Sequence, residues 1–256
     1  MIVFKKKFIR IAEAWGGEEP AAEDVDLVRC FQRTEPAADS LCREFYTIII
    51  DLTPEPDALF AALRKGCQYK VRRAEARDNF VYECWDGAGR SERERDALAR
   101  FSELYDWFAA RKRLPKIDRT WLSLMAETGM LDVSCVRDQA GAALVWHVHY
   151  RGGGKATFLH SASLLPDLEG EERSRLGRAS RLHHWRDMLR FKSQGMTVYD
   201  FGGWYQGSED KARLGINRFK EEFGGTVVKN YICERPLTLR GKLFLRLRQS
   251  LLGDAI

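Results

Sequence analysis

The stretch that decides the fold runs from Val198 to Gly225 and reads VYDFGGWYQGSEDKARLGINRFKEEFGG. An apolar run ends on Asp200 and a glycine pair, and an amphipathic segment then leads to a second glycine pair. Apolar and aromatic runs that end at glycine are typical of strands, whereas apolar residues spaced three and four apart are typical of helices. The stretch therefore predicts a strand followed by a helix, which crosses over to another strand in TVVKNYIC.

The segments before this crossover predict the other elements of the second half of the chain. Helices are predicted over ALARFSELYDWFAARKRL and over residues 120–128. Strands joined by short turns are predicted over LDVSCVRD, GAALVWHVHY and GKATFLHSAS. The charged stretch LEGEERSRLGRAS then leads into the helix RLHHWRDMLRFKSQG. The order α-α-β-β-β-α-β-α-β predicts a mixed α/β fold (α+β) with a largely antiparallel sheet that is parallel at the crossover.

The N-terminal part predicts strands separated by acidic loops, and then helices. The strand candidates are IVFKKKFIRIA, REFYTIIIDL and NFVYECW. A helical region is predicted over TPEPDALFAALRKGCQYKVRRAEARD. The polar segment GAGRSERERD is the best internal boundary. We therefore expect an N-terminal unit over residues 1–90, a larger domain over 91–235 and a basic amphipathic helix over 236–256.

Composition narrows the class of protein. The chain has 256 residues, of which 45% are hydrophobic and 31% charged, and a net charge of +5 that is too small to identify a nucleic-acid binder. No segment approaches the roughly 20 apolar residues that span a bilayer. With no signal peptide expected and no CxxC pair, the six cysteines are predicted to be reduced thiols of a cytoplasmic protein. They are Cys30, Cys42, Cys67, Cys84, Cys135 and Cys233.

Three segments carry a resemblance to a known family. They are IIIDLTPEPDALFAALRKGCQYKVRRAEARD, RLGRASRLHHWRDMLRFKSQGMTVYDFGG and GINRFKEEFGG, which with the intervening strands span residues 47–232. They resemble the GNAT superfamily of N-acyltransferases and, more narrowly, its Fem-type branch, the peptidyltransferases that build peptidoglycan bridges. The resemblance implies a GNAT-like sheet flanked by helices, with a truncated second GNAT-like unit at the N-terminus. Typical Fem enzymes differ in carrying two full GNAT-like domains and often a helical arm.

The resemblance also implies the chemistry of the site. Direct amide formation needs a positioned amine and stabilisation of the oxyanion, and the chain has no GxSxG motif for an acyl-enzyme. The Phe-Lys motif of the family assigns Lys220 to the oxyanion or a phosphate; the alternative is a surface lysine paired with Glu221 or Glu222. Asp200 either holds the acceptor ammonium and takes its proton, or caps an Asx-type turn.

Other side chains are expected to bind substrate. Tyr199, Trp204 and Tyr205 lie next to Asp200 in sequence, with packing as the alternative. Arg72 and Arg73 belong to the basic segment RKGCQYKVRRAEAR, which suits the phosphates of a nucleotide-linked substrate or a tRNA end. Helix solubility is the other explanation of these cations.

In a GNAT fold the donor pyrophosphate binds at the N-terminus of the helix after the central strands, where free backbone amides favour anions. The family fingerprint Arg/Gln-x-x-Gly-x-Gly/Ala matches EERSRLGRASRL at Gly177 and Ala179, with Arg175 and Arg178 beside them and the first position displaced by one. The resemblance thus implies acyl-CoA or aminoacyl-tRNA as donor and no tightly bound cofactor. A solvated, charged start of the helix is the alternative.

The histidines predict no metal site. His147 and His149 alternate on one strand, but a third zinc ligand with suitable spacing is missing, so packing is the favoured interpretation. His160, His183 and His184 are weak candidates for a general base, and helix packing suffices to explain His183.

The C-terminal segment LTLRGKLFLRLRQSLLGDAI predicts a basic amphipathic helix with Leu243, Leu247 and Leu251 on one stripe. It docks on the protein or on a second copy, as in a homodimer, or it lies on an anionic membrane at the inner face. The expected function is N-acyl transfer to the amine of a cell-envelope or nucleotide-sugar precursor, including nucleotide- or lipid-linked acceptors. A tRNA-dependent Fem-type aminoacyltransferase and a non-catalytic GNAT-fold scaffold in polysaccharide assembly are the alternatives.

Overall fold

The computed structural model describes residues 1–15, 23–163 and 168–252, and the chain divides into two compact units. Met1–Tyr46 and Val228–Ile256 form the first unit, and Thr47–Val227 form the second. This division differs from the boundaries expected near residues 90 and 235, because the last strand returns to the N-terminal strands instead of ending the larger domain. Residues 253–256 of the expected C-terminal helix lie outside the described residues.

The described residues form ten strands and seven α-helices. The strands are β1 (Ile2–Lys6), β2 (Ile9–Trp15), β3 (Leu27–Arg33), β4 (Leu41–Asp51), β5 (Val81–Trp85), β6 (Leu131–Arg137), β7 (Ala143–Gly152), β8 (Lys155–Ser163), β9 (Val198–Gly203) and β10 (Thr226–Pro236). The helices are α1 (Pro56–Ala62), α2 (Lys65–Arg73), α3 (Glu92–Lys112), α4 (Arg119–Glu127), α5 (Gly170–Ser193), α6 (Lys211–Glu221) and α7 (Leu239–Leu252). A π-helical turn over Ala74–Asp78 continues α2.

The first unit is a small sheet with a helix packed on it. Strands β1 and β2 form an antiparallel hairpin, β2 pairs in parallel with β3, and β3 pairs antiparallel with β10. Helix α7 buries Phe244 and Leu245 against Ile9, Ile11 and Leu27. None of the described helices, α7 included, combines the length and apolar character that crossing a membrane requires.

The expectation that all six cysteines are free thiols is wrong. Cys42 of β4 and Cys233 of β10 form a disulfide with their Cα atoms 4.1 Å apart. Cys67, Cys84 and Cys135 are free thiols. A spacing of 191 residues gives no signal in the sequence, because only strand pairing in the folded chain brings the two cysteines together.

The second unit contains the sheet that the sequence predicts. Its strand order is β4-β9-β8-β7-β6-β5, and every neighbouring pair is antiparallel except β8 and β9. The order of elements from α3 to β10 is the predicted one. The mixed α/β class, with a large and mostly antiparallel sheet flanked by helices, is therefore confirmed.

The core of this unit lies between the sheet and four helices. Helices α1, α2 and α5 bury apolar side chains against β4 and β9, and Phe223 closes the cluster just after α6. Representative members are Leu59, Val71, Met188, Phe191 and Tyr199, each no more than 4% exposed. Because this face is apolar, the charged side chains within it stand out as candidates for function.

The start of α5 differs from the predicted one. The charged stretch LEGEERSRLGRAS was expected to lead into the helix, but α5 already begins at Gly170 and runs for 24 residues. Arginine and glutamate are good helix formers, and ion pairs satisfy the charges, so nothing in this stretch ends a helix.

Candidate active site

Two neighbouring strands separate in the middle of the second unit. Strands β8 and β9 pair in parallel over three positions, the last of which joins Thr157 to Asp200. Beyond that point β8 continues along β7 to Ser163, while β9 continues along β4 to Gly203. The inner edges of β8 and β9 thus diverge after Asp200, and we name this place the strand divergence. Among the described residues the β8–β9 ladder ends there, although Gly202 of β9 still lies close to the carbonyl oxygen of Phe158 in β8.

Irregularities in both ladders accompany the strand divergence. The register of β8 against β7 shifts between Phe158 and His160, and that of β9 against β4 shifts beside Thr47. Because of the first shift, Phe158 contacts His184 of α5, whereas His160 contacts Tyr105 of α3. Such bulges re-aim side chains and are common next to active sites.

Asp200 is fully buried at the strand divergence. Its Oδ1 accepts a short hydrogen bond from the Thr47 hydroxyl and another from the Gly202 amide at 2.8 Å. The second bond is that of an Asx-type turn, one of the two roles considered for this residue. Its Oδ2 lies 3.8 Å from Nζ of Lys155, which is therefore a second cation at the site.

Lys220 comes to the same place from α6. Its side chain is 7% exposed, and Nζ donates hydrogen bonds to the carbonyl oxygens of Gly202 and Gly203 at 3.3 and 2.5 Å. It is therefore not the surface lysine of the alternative interpretation. Burial lowers the pKa of Lys220 to about 8, and the negative charge of Asp200 partly opposes this shift. The structure thus brings Lys220 and Asp200 together, although 20 positions separate them in the sequence.

The two glycine pairs have different local roles. Gly202 has φ of +69°, and a Cβ there would lie 2.9 Å from the carbonyl oxygen of Phe158. Gly224 and Gly225 have φ of +80° and +91° just after α6, which is the left-handed conformation expected for the end of this helix. The first pair permits close approach of β9 to β8, and the second ends the helix that carries Lys220.

The three aromatic candidates beside Asp200 lie in different environments. Tyr199 is completely buried, with its hydroxyl 2.9 Å from Nε2 of His149 and 2.8 Å from Nδ1 of His184. Trp204 packs on the apolar core and is partly exposed. Tyr205 is also partly exposed, and its backbone is bonded to the Asn217 amide side chain. Trp204 and Tyr205 can contact a ligand, whereas the Tyr199 hydroxyl is directed into the core.

A basic groove of about 410 Å³ lies between α2 and α5. Its cationic lining is Lys70, Arg73, Arg173, Arg178 and Arg181, with Tyr69 and Gly177 also on its wall. Arg72, by contrast, stacks over the ring of Phe60 and does not line the groove.

Several cations of the basic groove already have carboxylate partners. Arg178 is 5% exposed and binds Asp78 through two hydrogen bonds of 2.6 and 2.9 Å. Arg181 binds Glu222 in the same bidentate way. Arg73 makes a longer contact of 3.4 Å with Glu171 and is partly exposed. Arg173, which is exposed, and the partly exposed Lys70 and Arg73 are therefore the cations that an incoming anion meets first.

The expected donor-phosphate residues lie within a helix, not at its N-terminus. Because α5 begins at Gly170, Gly177 and Ala179 are in its third turn, where backbone amides take part in the helical ladder. Arg175 lies 3.9 Å from Asp138 and over the ring of Phe80. The free-amide mechanism is thus unsupported at these residues, and a phosphate in the basic groove would instead meet side-chain cations.

A buried polar cluster lies between β6, β7 and α5. It consists of Ser134, His147, His149, His183, His184 and Asp187, each no more than 3% exposed. Burial lowers the pKa of His149 to about 3, and burial together with the nearby charge of His147 lowers the pKa values of His183 and His184 well below 6.5. Despite complete burial, which raises it, the surrounding histidines hold the pKa of Asp187 well below 3.8.

Asp187 is not among the site residues predicted from the sequence. The available signal was the pattern His-His-x-x-Asp on α5, which places His183 and Asp187 one helical turn apart on the same side. Helix packing explained His183 adequately on its own, so the carboxylate was overlooked.

Comparisons with solved structures agree with the fold. FemX matches over 88% of this chain and 75% of its own, with 15% identity and a TM-score of 0.62. The fold is GNAT-like and of the Fem type. The C-terminal domain of a putative lysylphosphatidylglycerol synthetase from Agrobacterium fabrum matches with 11% identity, coverage of 90% and 73%, and a TM-score of 0.54. L-PGS from Bacillus licheniformis matches over 87% of this chain and 72% of its own, with 15% identity and a TM-score of 0.52. No family model matches the sequence, and no curated protein matches it either.

Proposed function

We propose that this protein is an N-acyltransferase that acts at the strand divergence. The observation that carries the proposal is the buried Lys220, whose ammonium lies on the carbonyl oxygens of Gly202 and Gly203 beside Asp200. The Fem-type fold supports it, since that fold is of acyltransferase type. An activated acyl or aminoacyl group enters between the edges of β8 and β9, where backbone groups hold it in an extended form.

The reaction is direct attack of an amine on the activated carbonyl carbon. A carbon–nitrogen bond forms, the thioester or ester bond breaks, and the amine proton leaves for the solvent or a carboxylate. Lys220 stabilises the negative charge that develops on the carbonyl oxygen, an effect that is large in a site with little water. Asp200 fixes the turn that presents Gly202 and keeps a negative charge near the ammonium, so that Lys220 stays protonated at neutral pH.

The donor is proposed to bind with its phosphates in the basic groove. Lys70 and Arg73 are the groove cations on α2, and phosphate contacts of this kind bind acyl-CoA as well as a tRNA end. An aminoacyl-tRNA donor is the second candidate, because Tyr69 lies on the wall of the groove and is 61% exposed, as a base-stacking residue would be.

The acceptor is proposed to be an amine on a cell-envelope precursor that is presented at a membrane. One solved neighbour bears the name of a lysylphosphatidylglycerol synthetase, an enzyme that makes a lipid product. Leu239, Leu243 and Leu247 form an exposed stripe on α7, at 82%, 52% and 45% exposure, whereas Phe244 and Leu245 dock inward. Residues 239–250 contain no acidic side chain, and this composition suits an anionic lipid surface.

The test of the function is donor turnover with Lys220→Met. The protein is incubated with acyl-CoA or charged tRNA and an amine acceptor, and product is followed by mass spectrometry. We expect kcat/KM to fall about 100-fold or more, as for the loss of an oxyanion donor. Lys211→Met, at the exposed start of the same helix, is the control and should retain full activity. Equal rates for wild type and Lys220→Met would remove Lys220 from the chemistry.

A further inference from the structure

The buried polar cluster contains the donor set of a metal centre. One nitrogen each of His147 and His183 and an oxygen of Asp187 lie within 4.8 Å of one another, and all three residues are buried. Oδ2 of Asp187 lies 2.7 Å from Nδ1 of His147 and 3.7 Å from Nε2 of His183. Imidazole nitrogens and carboxylate oxygens are ligands that zinc prefers.

The surroundings of Asp187 resemble the outer shell of a metal ligand. Its Oδ1 accepts hydrogen bonds from Ser134 and Tyr82, at 2.8 and 2.7 Å. These bonds fix the carboxylate so that Oδ2 is directed at the histidines. Such partners orient the ligands of known metal sites. The fourth position has a candidate in His149, whose Nε2 is 3.8 Å from the same Oδ2.

The charge of the cluster also favours a cation. Within the described part of the chain, the ion-pair contacts of Asp187 are all with histidines. The Arg190 guanidinium also attracts Asp187, but its ion pairs are with Asp86 and Asp132. A buried carboxylate without a cationic partner in direct contact is costly to keep charged. A divalent ion would provide that partner and would satisfy donor atoms that are otherwise left unused.

We propose that His147, His183 and Asp187 bind a zinc ion that stabilises the packing of α5 on the sheet. The His147 and His183 rings are stacked, with centroids 3.6 Å apart and planes 4° apart. Two parallel rings cannot both direct a lone pair at one ion, so one ring turns on binding. His183 is the ring that turns, because its Nδ1 has no hydrogen-bond partner among the described residues and its Nε2 meets the Ser134 hydroxyl.

The test measures metal in the folded protein and does not depend on acyl transfer. The chain is unfolded in EDTA, refolded with zinc, and dialysed before elemental analysis. We expect about one zinc per chain, and a melting temperature that rises with zinc relative to refolding in EDTA. Cobalt refolded in the same way should give the visible absorption of a tetrahedral site. The proposal would be overturned if the wild-type protein folds equally well with zinc and with EDTA and retains less than about a tenth of an equivalent of zinc per chain.

Variants locate the ion. His183→Gln and Asp187→Asn keep the approximate size of each side chain and should lose the bound zinc. His160→Gln, in contact with Phe101 and Tyr105 instead of the cluster, is the matched control and should keep it. Zinc retained by both cluster variants would place the ion elsewhere and contradict the assignment. Should the variants fail to fold, the cobalt spectrum of the wild type decides by itself.

Discussion

At the scale of single residues, burial gives Lys220 its chemical character. A lysine in water has a pKa near 10.4, whereas the side chain of Lys220 is almost enclosed and its pKa falls to about 8. Asp200 limits the fall, since its carboxylate stabilises the charged form. The ammonium is thus charged at neutral pH and is only weakly hydrated. Such a cation interacts strongly with a developing oxyanion.

The pKa of Lys220 predicts how activity depends on pH. If the charged form is the active one, kcat/KM should fall as the pH rises through about 8. Lys220→Arg, which keeps its charge at high pH, should lose this alkaline fall even where its overall rate is lower. A profile with the same alkaline fall in Lys220→Arg would assign the titration to another group.

The stability of the protein should respond to the same group in the opposite direction. Because the pKa is lower in the folded state than in the unfolded state, the unfolded chain binds more protons between pH 8 and 10.5. The free energy of unfolding contributed by Lys220 therefore rises with pH in that window, by up to roughly 3 kcal/mol. Denaturant unfolding of wild type and Lys220→Met across this range isolates the contribution.

At the scale of elements, glycine determines how α6 meets the sheet. Gly225 has φ of +91°, and a Cβ there would collide with the carbonyl oxygen of Ile49 and with Cδ1 of Ile50. The glycine pair therefore ends the helix and also lets the chain pass close to β4. The end of the helix is a local requirement, whereas the close approach to β4 is a tertiary contact. Together they explain why the chain has two adjacent glycines at this point.

Gly225→Ala is expected to destabilise the protein by about 2–4 kcal/mol. The alanine would have to adopt a positive φ, and its Cβ would clash with the backbone of Ile49 and the side chain of Ile50. Gly215→Ala is the matched control within α6, where a Cβ meets nothing within 4 Å. Alanine should stabilise that position by up to about 1 kcal/mol. Chemical denaturation measures both. A Gly225→Ala protein as stable as the wild type would show that the chain adapts there.

At the scale of the whole molecule, the first unit is built from two separate segments of the chain, whereas the second is built from one continuous segment. The first unit joins the N-terminal strands to β10 and α7, and a disulfide links its β4 and β10 strands. The second unit carries every candidate catalytic residue. The exposed leucine stripe belongs to α7, and thus to the first unit.

The leucine stripe predicts binding to anionic membranes by the full chain. Wild-type protein should sediment with vesicles that contain phosphatidylglycerol, and salt should weaken the binding because Arg240, Lys242 and Arg246 contribute to it. The double variant Leu243→Ser, Leu247→Ser should bind at least about tenfold more weakly. Leu114→Ser, at another exposed leucine, is the control. Equal binding by the double variant would show that the leucine stripe does not mediate membrane binding.

Much of the fold follows from the sequence because its signals are local. The alternation in GAALVWHVHY, the helical spacing in ALARFSELYDWFAARKRL and the glycine pair after Lys220 each depend on neighbours along the chain. The sequence prediction starts α5 too late, because the charged stretch was expected to lead into the helix. In the structure the stretch is already helical, and Asp78 pairs with Arg178 within it. Local pattern does not reveal such a distant partner.

The sequence by itself determined the order of elements from α3 to β10, the mixed α/β class and the crossover that carries Asp200 and Lys220. Only the tertiary structure decided that Lys220 is buried, that Tyr199 is directed into the core, that Cys42 meets Cys233, and that Asp187 contacts three histidines. The physical reason is the distance along the chain over which each kind of interaction acts. Periodicity and turn chemistry act within a few residues, whereas desolvation and side-chain pairing depend on which strands and helices become neighbours in space.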